Sequence, residues 1–210
     1  MQTHIFDVAE LTAQQISQLA YALEQGAVAV LPTDTVYGIG TGAYCEESIR
    51  RIYQLKNRPA TSPLQLLTGS LAQAQAVAEF SPMAQKLADR FWPGALTLIL
   101  PPSDKGRALT RGFAGLGLRV PGNPFLQKLL KEMSVPLACT SANVHGQNVI
   151  TTQEILLNTF SGKVDYIIHA GTLSPLASSV VDLTAAARLL REGAISRVAL
   201  EQTLGQSFVS

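Results

Sequence analysis

The chain has 210 residues, of which 47% are hydrophobic and 15% charged, and its formal net charge is +1. That length and apolar content suffice for one large domain or two small ones with a sizeable core. The near-neutral balance excludes a nucleic-acid coat protein or a polybasic membrane binder, while leaving room for a local basic patch. Cys45 and Cys139, the only two cysteines, form neither a CxxC pair nor a zinc pattern and read as buried thiols of a reducing compartment. The opening MQTHIFDVAE lacks a basic region followed by an apolar run, so no secretory signal is expected. No apolar stretch approaches the ~18 residues of a membrane span. A cytoplasmic protein without membrane contact is the expectation.

In chain order, Ile5–Val8 reads as a short edge strand. Thr12–Gln25 is the clearest helix, with Ile16, Leu19, Ala20 and Leu23 on one face. Thr12 and Gln15 form a capping box, Leu11 and Ile16 a hydrophobic staple, and Gly26 the C-terminal stop. Ala27–Leu31 is apolar throughout, as in a central strand covered on both faces. It breaks at Pro32 into Thr33-Asp34-Thr35-Val36-Tyr37. The run Gly38-Ile39-Gly40-Thr41-Gly42 fits neither GxxxxGK[ST] nor a strand-linked GxGxxG, and plain turn chemistry is the favoured reading.

Glu46–Leu55 is a second helix, Asn57–Ser62 a loop, Leu64–Leu67 a strand and Leu71–Phe80 an alanine-rich helix. Ser81 and Pro82 start another as N-cap and first helical residue, ending near Arg90. Phe91-Trp92-Pro93-Gly94 is a turn with core character, Ala95–Leu100 a strand, and Pro101–Gly115 an exposed loop. Leu116–Val120 is a strand carrying Arg119, followed by a short helix over Phe125–Lys131. Pro136–Cys139 is a buried strand running into Thr140-Ser141-Ala142-Asn143. Thr151 with Glu154 suggests a second capping box. Asp165–His169, Ser178–Leu183 and Ala187–Leu190 are strands, and a terminal strand and helix follow Ile195. There is no internal repeat or long linker. The expectation is one α/β domain over residues 1–210, an open mixed sheet flanked by helices, since the connections are too irregular for a regular βαβ series.

The chemistry gathers where buried strands turn polar. Lys56 and Arg58 pair a compact ammonium with a planar guanidinium fork, suited to phosphate oxygens. Pro59 holds Arg58 extended, and extended spacing would aim both side chains one way. A solvated surface pair is the equal alternative. Ser141 and Asn143 offer uncharged hydrogen bonds to phosphate, ribose or base, or else cap a turn. Ser178 and Ser179 precede a buried strand in the same manner. Arg119, ending an apolar strand, needs an anion or an exit to solvent, and Arg191 precedes a glycine turn. Thr33, Thr35 and Tyr37 suit a small polar substrate. His4, His145 and His169 are scattered, with no metal cluster and no Ser-His-Asp set. These groups describe a concave site that positions and neutralises an anion rather than attacking it covalently.

PTDTVYGIG, LKNRPATSPL, FWPGALTLIL, GLRVP, TSAN, SSVVD and LLREGAI occur in an order that resembles the YrdC/Sua5 (TsaC) family of L-threonylcarbamoyladenylate synthases, over roughly Leu11 to Ile195. The resemblance implies an open, twisted mixed sheet with a large, positively charged cavity. It implies condensation of L-threonine, bicarbonate and ATP, with Mg2+, into threonylcarbamoyl-AMP and pyrophosphate. A separate TsaD/TsaB/TsaE-like transferase complex would then modify adenosine 37 of tRNAs reading ANN codons, any direct tRNA contact being weak. By motif, Lys56 and Arg58 match the basic pair at the ATP phosphates, and Ser141 and Asn143 the pair at phosphate and magnesium. Thr33 and Tyr37 fall where threonine is held, with Ser179 beside them. Arg119, Thr140, Ser179 and Arg191 line the nucleotide side. Two positions depart from the pattern: Ser62 stands where lysine is frequent, removing one cation from the cavity edge, and Asp34 stands where glutamate is common. The length suggests the short bacterial form. The alternative within the resemblance is a divergent relative that binds nucleotide or double-stranded RNA without making the adenylate. A hydrogenase-maturation module is disfavoured by the missing zinc-finger cysteines.

Overall fold

The computed structural model of the protein describes residues 2–144, 146–173 and 176–209. Its first strand, β1 (His4–Asp7), leads through a 3-10 turn into helix α1 (Ala13–Glu24). The capping box forms as the sequence predicts: Thr12 Oγ1 accepts from Gln15 N–H, and Gln15 Oε1 accepts from Thr12 N–H at 2.9 Å. Gly26 follows with φ +97°, the left-handed geometry that stops a helix without strain in glycine. Strands β2 (Ala29–Leu31) and β3 (Gly38–Gly42), helix α2 (Glu46–Lys56), strand β4 (Gln65–Leu67) and helices α3 (Leu71–Val77) and α4 (Pro82–Phe91) come next. Ser81 caps α4 and Pro82 occupies its first turn, as expected. The chain continues through β5 (Leu96–Leu100), β6 (Leu116–Arg119), α5 (Pro124–Glu132), β7 (Leu137–Ser141), α6 (Gln153–Phe160), β8 (Tyr166–His169), β9 (Ser179–Asp182), β10 (Arg188–Arg191) and α7 (Arg197–Leu204).

The strands form one open, mixed sheet in the order β1-β8-β2-β3-β7-β4-β6-β5-β9-β10. The pairs β1–β8, β2–β8, β4–β6 and β5–β9 are parallel and the others antiparallel, with three antiparallel pairs in succession from β2 to β4. β1 is an edge, as predicted.

The glycine run is the largest departure from expectation. It is a central strand, not a turn, lying between β2 and β7. A Cβ on Gly40 would stand 2.8 Å from the Ala138 carbonyl, and one on Gly38 2.6 Å from Cys139 Sγ. The glycines permit close approach to β7 rather than reversal of the chain. Two smaller expectations also fail. Thr151 and Glu154 make no capping box, because Thr152 is the N-cap of α6 and its side chain makes no cap bond. No further strand lies between β10 and α7, so Ile195 begins none, and the N-cap Ser196 of α7 accepts from Ala199 N–H at 3.3 Å.

Alternation along the strands separates two faces. Leu66, Leu96, Leu98, Leu100, Leu118 and Val181 pack into a core shared with α3, α4 and α7. Trp92 packs beside this core, donating Nε1–H to Leu96 O at 2.7 Å and meeting Phe80 edge-on. A second core joins α1 and α5 to Leu31, Leu67, Leu137 and Cys139. The face of β4, β6, β5 and β9 that turns away from α3 and α4 carries a cavity instead. Among the described residues, no helix is long and apolar enough to cross a membrane.

Candidate active site

The cavity has a volume of about 290 Å³, near the lower end of small-molecule sites. Alternate residues of neighbouring strands form its floor: Gln65 from β4, Gly117 and Arg119 from β6, Thr97 and Ile99 from β5, and Cys139 and Ser141 from β7. Thr35, Thr140 and Ser178 add hydroxyls, and Arg58 and Arg191 add charge from opposite sides. Among the described residues no carboxylate lines it.

Arg119 is 2% exposed and resolves its alternatives internally. Its Nη2 donates to Asp34 Oδ1 at 2.5 Å, Nη1 to Thr35 Oγ1 at 3.1 Å, and Nε to Gly94 O at 2.9 Å. Asp34 thus neutralises this cation from behind the cavity wall. Thr35 is fixed further by Thr33, whose Oγ1 lies 2.9 Å from Thr35 Oγ1 and donates to Val36 O at 2.7 Å.

Arg58 and Arg191 have no carboxylate partner among the described residues. Arg58 donates Nε–H to Ser62 O at 3.1 Å and Nη2–H to Pro63 O at 3.0 Å. Arg191 donates Nε–H to Ser178 O at 2.9 Å and Nη2–H to Ser178 Oγ at 3.1 Å. Burial lowers the pKa of both guanidinium groups, and the charge of Arg119 adds to the effect at Arg191. An anion entering between them would relieve that desolvated positive charge.

Lys56 and Arg58 are not alternate residues of an extended segment. Lys56 ends α2, Asn57 takes left-handed geometry with φ 49°, and Arg58 lies beyond the helix stop. The two side chains therefore diverge. Lys56 is 1% exposed. Its ammonium donates to the backbone carbonyls of Ser141 and Asn143 and reaches Asn143 Oδ1 at 3.3 Å. Burial, with the Arg58 charge second, pulls its pKa down to about 8.

The remaining predicted residues divide between the lining and the layer behind it. Thr140 and Ser141 line the cavity. Asn143 lies past Ser141, accepting from Ser141 Oγ at 2.6 Å and donating Nδ2–H to Gln147 O at 2.7 Å. Its Oδ1 already accepts from a hydroxyl and faces an ammonium, a poor setting for a resident divalent cation, which takes carboxylate and carbonyl oxygens. Among the described residues no group of three His, Cys, Asp or Glu side chains could hold a metal. Tyr37, 1% exposed, clasps the chain after β8: its hydroxyl accepts from Ala170 N–H at 2.9 Å and donates to Gly171 O at 2.7 Å. Thr33 and Ser179 also sit behind the lining. Ser179 Oγ donates to Ile195 O at 2.6 Å and accepts from Gly193 and Ile195 N–H. Of the histidines, His4 stacks on Tyr166, His169 Nδ1 lies 3.6 Å from Asp7 Oδ2, and His145 lies outside the described residues.

Gln65, Thr97, Gly117 and Cys139 are lining residues that motif reading missed. Each lies inside an apolar strand, and strand alternation is the signal that could have found them. Burial pushes the Cys139 thiol up to about 12, so it is a neutral wall and not a nucleophile near neutral pH.

The model of a family described as Sua5/YciO/YrdC, telomere recombination, matches residues 21–193. The chain is 36% identical over 188 residues to the threonylcarbamoyl-AMP synthase of Pyrococcus abyssi (strain GE5 / Orsay), covering 88% of this chain and 55% of that protein. It is 33% identical over 199 residues to the threonylcarbamoyl-AMP synthase of Bacillus subtilis (strain 168), covering 91% and 57%. The crystal structure of P. abyssi Sua5 complexed with L-threonine superposes with a TM-score of 0.90 at 34% identity, over 99% of this chain and 63% of that one. The chain thus spans just over half the length of these two curated relatives. A family match over most of the chain, on a fold that superposes this closely, places the protein in the Sua5/YciO/YrdC family.

Proposed function

We propose that residues 1–210 form one catalytic domain that condenses L-threonine, bicarbonate and ATP into L-threonylcarbamoyl-AMP and pyrophosphate. The product would serve N6-threonylcarbamoylation of adenosine 37 in tRNAs reading ANN codons. The observation that carries this reading is a cavity lined by three arginines and, among the described residues, no carboxylate, in a chain 36% identical to a threonylcarbamoyl-AMP synthase.

In this reading the threonine amine and bicarbonate give N-carboxy-threonine with loss of water. One carboxylate oxygen of that carbamate attacks the α-phosphorus of ATP, and pyrophosphate carries away the displaced electron pair. Arg58 and Arg191 receive the phosphates from two sides, and their charge stabilises the leaving pyrophosphate. Arg119 is already paired with Asp34, and it aims the Thr35 hydroxyl at the amino-acid end. Ser141 and Thr140 hydrogen-bond the nucleotide. Lys56 acts one layer back, holding the Ser141–Asn143 backbone in place. Thr33, Tyr37 and Ser179 act likewise, by fixing the walls against which threonine and nucleotide rest. Magnesium enters as part of the ATP substrate. A TsaD/TsaB/TsaE-like complex receives the adenylate in the cytoplasm, and the near-neutral charge makes tRNA contact by this domain weak.

Pyrophosphate release from ATP, with L-threonine and bicarbonate supplied singly and together, tests the reading. Release that requires both is expected. ATP binding with no release under any combination would overturn it in favour of a nucleotide-binding relative without synthase activity.

A further inference from the structure

Arg191 belongs to β10, the last strand of the sheet, where pairing with β9 is already irregular between Leu189 and Arg191. An arginine on such an edge, with no carboxylate partner among the described residues, needs something else to hold it over a cavity. The structure supplies a row of buried hydroxyls. Arg191 Nη2 donates to Ser178 Oγ at 3.1 Å, Ser178 Oγ lies 3.0 Å from Thr97 Oγ1, and Thr97 Oγ1 donates to Gln65 Oε1 at 3.1 Å. Ser178 and Thr97 are 3% and 4% exposed, so water cannot substitute freely for these bonds.

The row has one direction. Thr97 owns a single hydroxyl proton and gives it to Gln65 Oε1. Ser178 must then donate to Thr97, which leaves Ser178 Oγ as an acceptor toward Arg191. Removing the Thr97 hydroxyl takes away the acceptor of the Ser178 proton, so the Ser178 hydroxyl is free to rotate and its lone pairs are no longer held toward Arg191.

The row also crosses a strand. β6 lies between β4 and β5, and Gly117 occupies it where the Gln65–Thr97 bond passes over. A Cβ there would lie 3.6 Å from Thr97 Cγ2 and 3.9 Å from Gln65 Cβ. A methyl fits at ordinary contact distance, and a larger side chain would stand between the two partners.

We propose that Gln65 and Thr97 are positioning residues that act through Ser178 to set the Arg191 guanidinium for the polyphosphate of the nucleotide, with Gly117 keeping their path open. The role in ATP binding rests on the function proposed above. The positioning of Arg191 does not.

The test uses the whole chain. Arginine side-chain N–H resonances are assigned in the wild type, Thr97→Val and Thr97→Ser, and ATP affinity is measured by calorimetry in the same proteins and in Arg191→Ala backgrounds. In Thr97→Val the Arg191 signals shift and lose exchange protection, and ATP binds roughly fivefold to tenfold more weakly. Thr97→Ser restores both. Thr97→Val adds no further loss once Arg191→Ala is present, whereas a merely structural role would weaken binding equally in both backgrounds. Gln65→Leu, which leaves both hydroxyls in place, gives the same direction of change should Thr97→Val prove unstable. Arg191 signals that do not move in Thr97→Val or Gln65→Leu overturn the proposal, as does additivity with Arg191→Ala. Arg191 signals that move in Thr97→Val, together with a wild type that makes no adenylate, would leave the row standing and sink the synthase reading alone.

Discussion

Lys56 has an ammonium that is almost wholly out of water and faces carbonyl oxygens, with no carboxylate partner among the described residues. With a folded-state pKa of about 8 against 10.5 ordinarily, it releases its proton on folding at any pH between those values. There the unfolded state binds more protons, so the contribution of this group to stability rises with pH; below pH 8 the full burial penalty is present. Replacing Lys56 by Met removes that dependence. The difference in unfolding free energy, wild type minus Lys56→Met, should grow between pH 8 and 10.5 in denaturant titrations, and a flat difference would contradict the assignment. The same variant leaves the Ser141 and Asn143 carbonyls unpaired, and adenylate formation should fall sharply while the protein still folds. Near-normal turnover would remove Lys56 from the site. Arg119 makes the complementary case. Asp34→Ala strands a guanidinium that is 2% exposed, and a loss on the order of 3 kcal/mol is expected, read as a drop in the denaturation midpoint. A loss below about 0.5 kcal/mol, the scale of a surface pair, would show that the pair is not what holds Arg119.

At the scale of elements, what was legible depended on whether the signal was local. The capping box at Thr12, the Ser81-Pro82 start of α4 and the apolar face of α1 were legible because each is written within a few turns of chain. β3 was not. Gly38-Ile39-Gly40-Thr41-Gly42 has the composition of a turn, and the reason it is a strand lies about a hundred residues away, in the close approach of β7. Gly40→Val tests this: its Cβ would meet the Ala138 carbonyl at 2.8 Å, so the sheet must shift, and a destabilisation of about 1–3 kcal/mol is expected. Unchanged stability would mean that the two strands have slack between them. The site was legible in the same partial way. Arg58, legible as half of a basic pair in the loop after α2, and Arg119, Thr140, Ser141 and Arg191, legible at polar ends of strands, do line the cavity. The divergence of Lys56 from Arg58 was hidden, because it follows from the left-handed Asn57 and not from spacing. Gln65 and Thr97 were hidden because each lies in a strand otherwise apolar.

At the scale of the molecule, the sheet sorts its side chains by parity. One set of alternate residues enters the core with α3, α4 and α7, and the opposite set forms the cavity floor. Three arginines from separate segments converge there, one neutralised by Asp34 and two held, among the described residues, by carbonyl and hydroxyl oxygens. This arrangement favours a polyanion that arrives and leaves over a fixed carboxylate or metal. The chain spans just over half the length of its two long relatives, so the central claim is that this domain suffices for the chemistry. The most direct measurement is mass spectrometry of the product formed from ATP, L-threonine and 13C-labelled bicarbonate by the purified chain. A threonylcarbamoyl adenylate heavier by the one labelled carbon is expected. An adenylate lacking the label, or none at all from a chain that binds ATP, would contradict it.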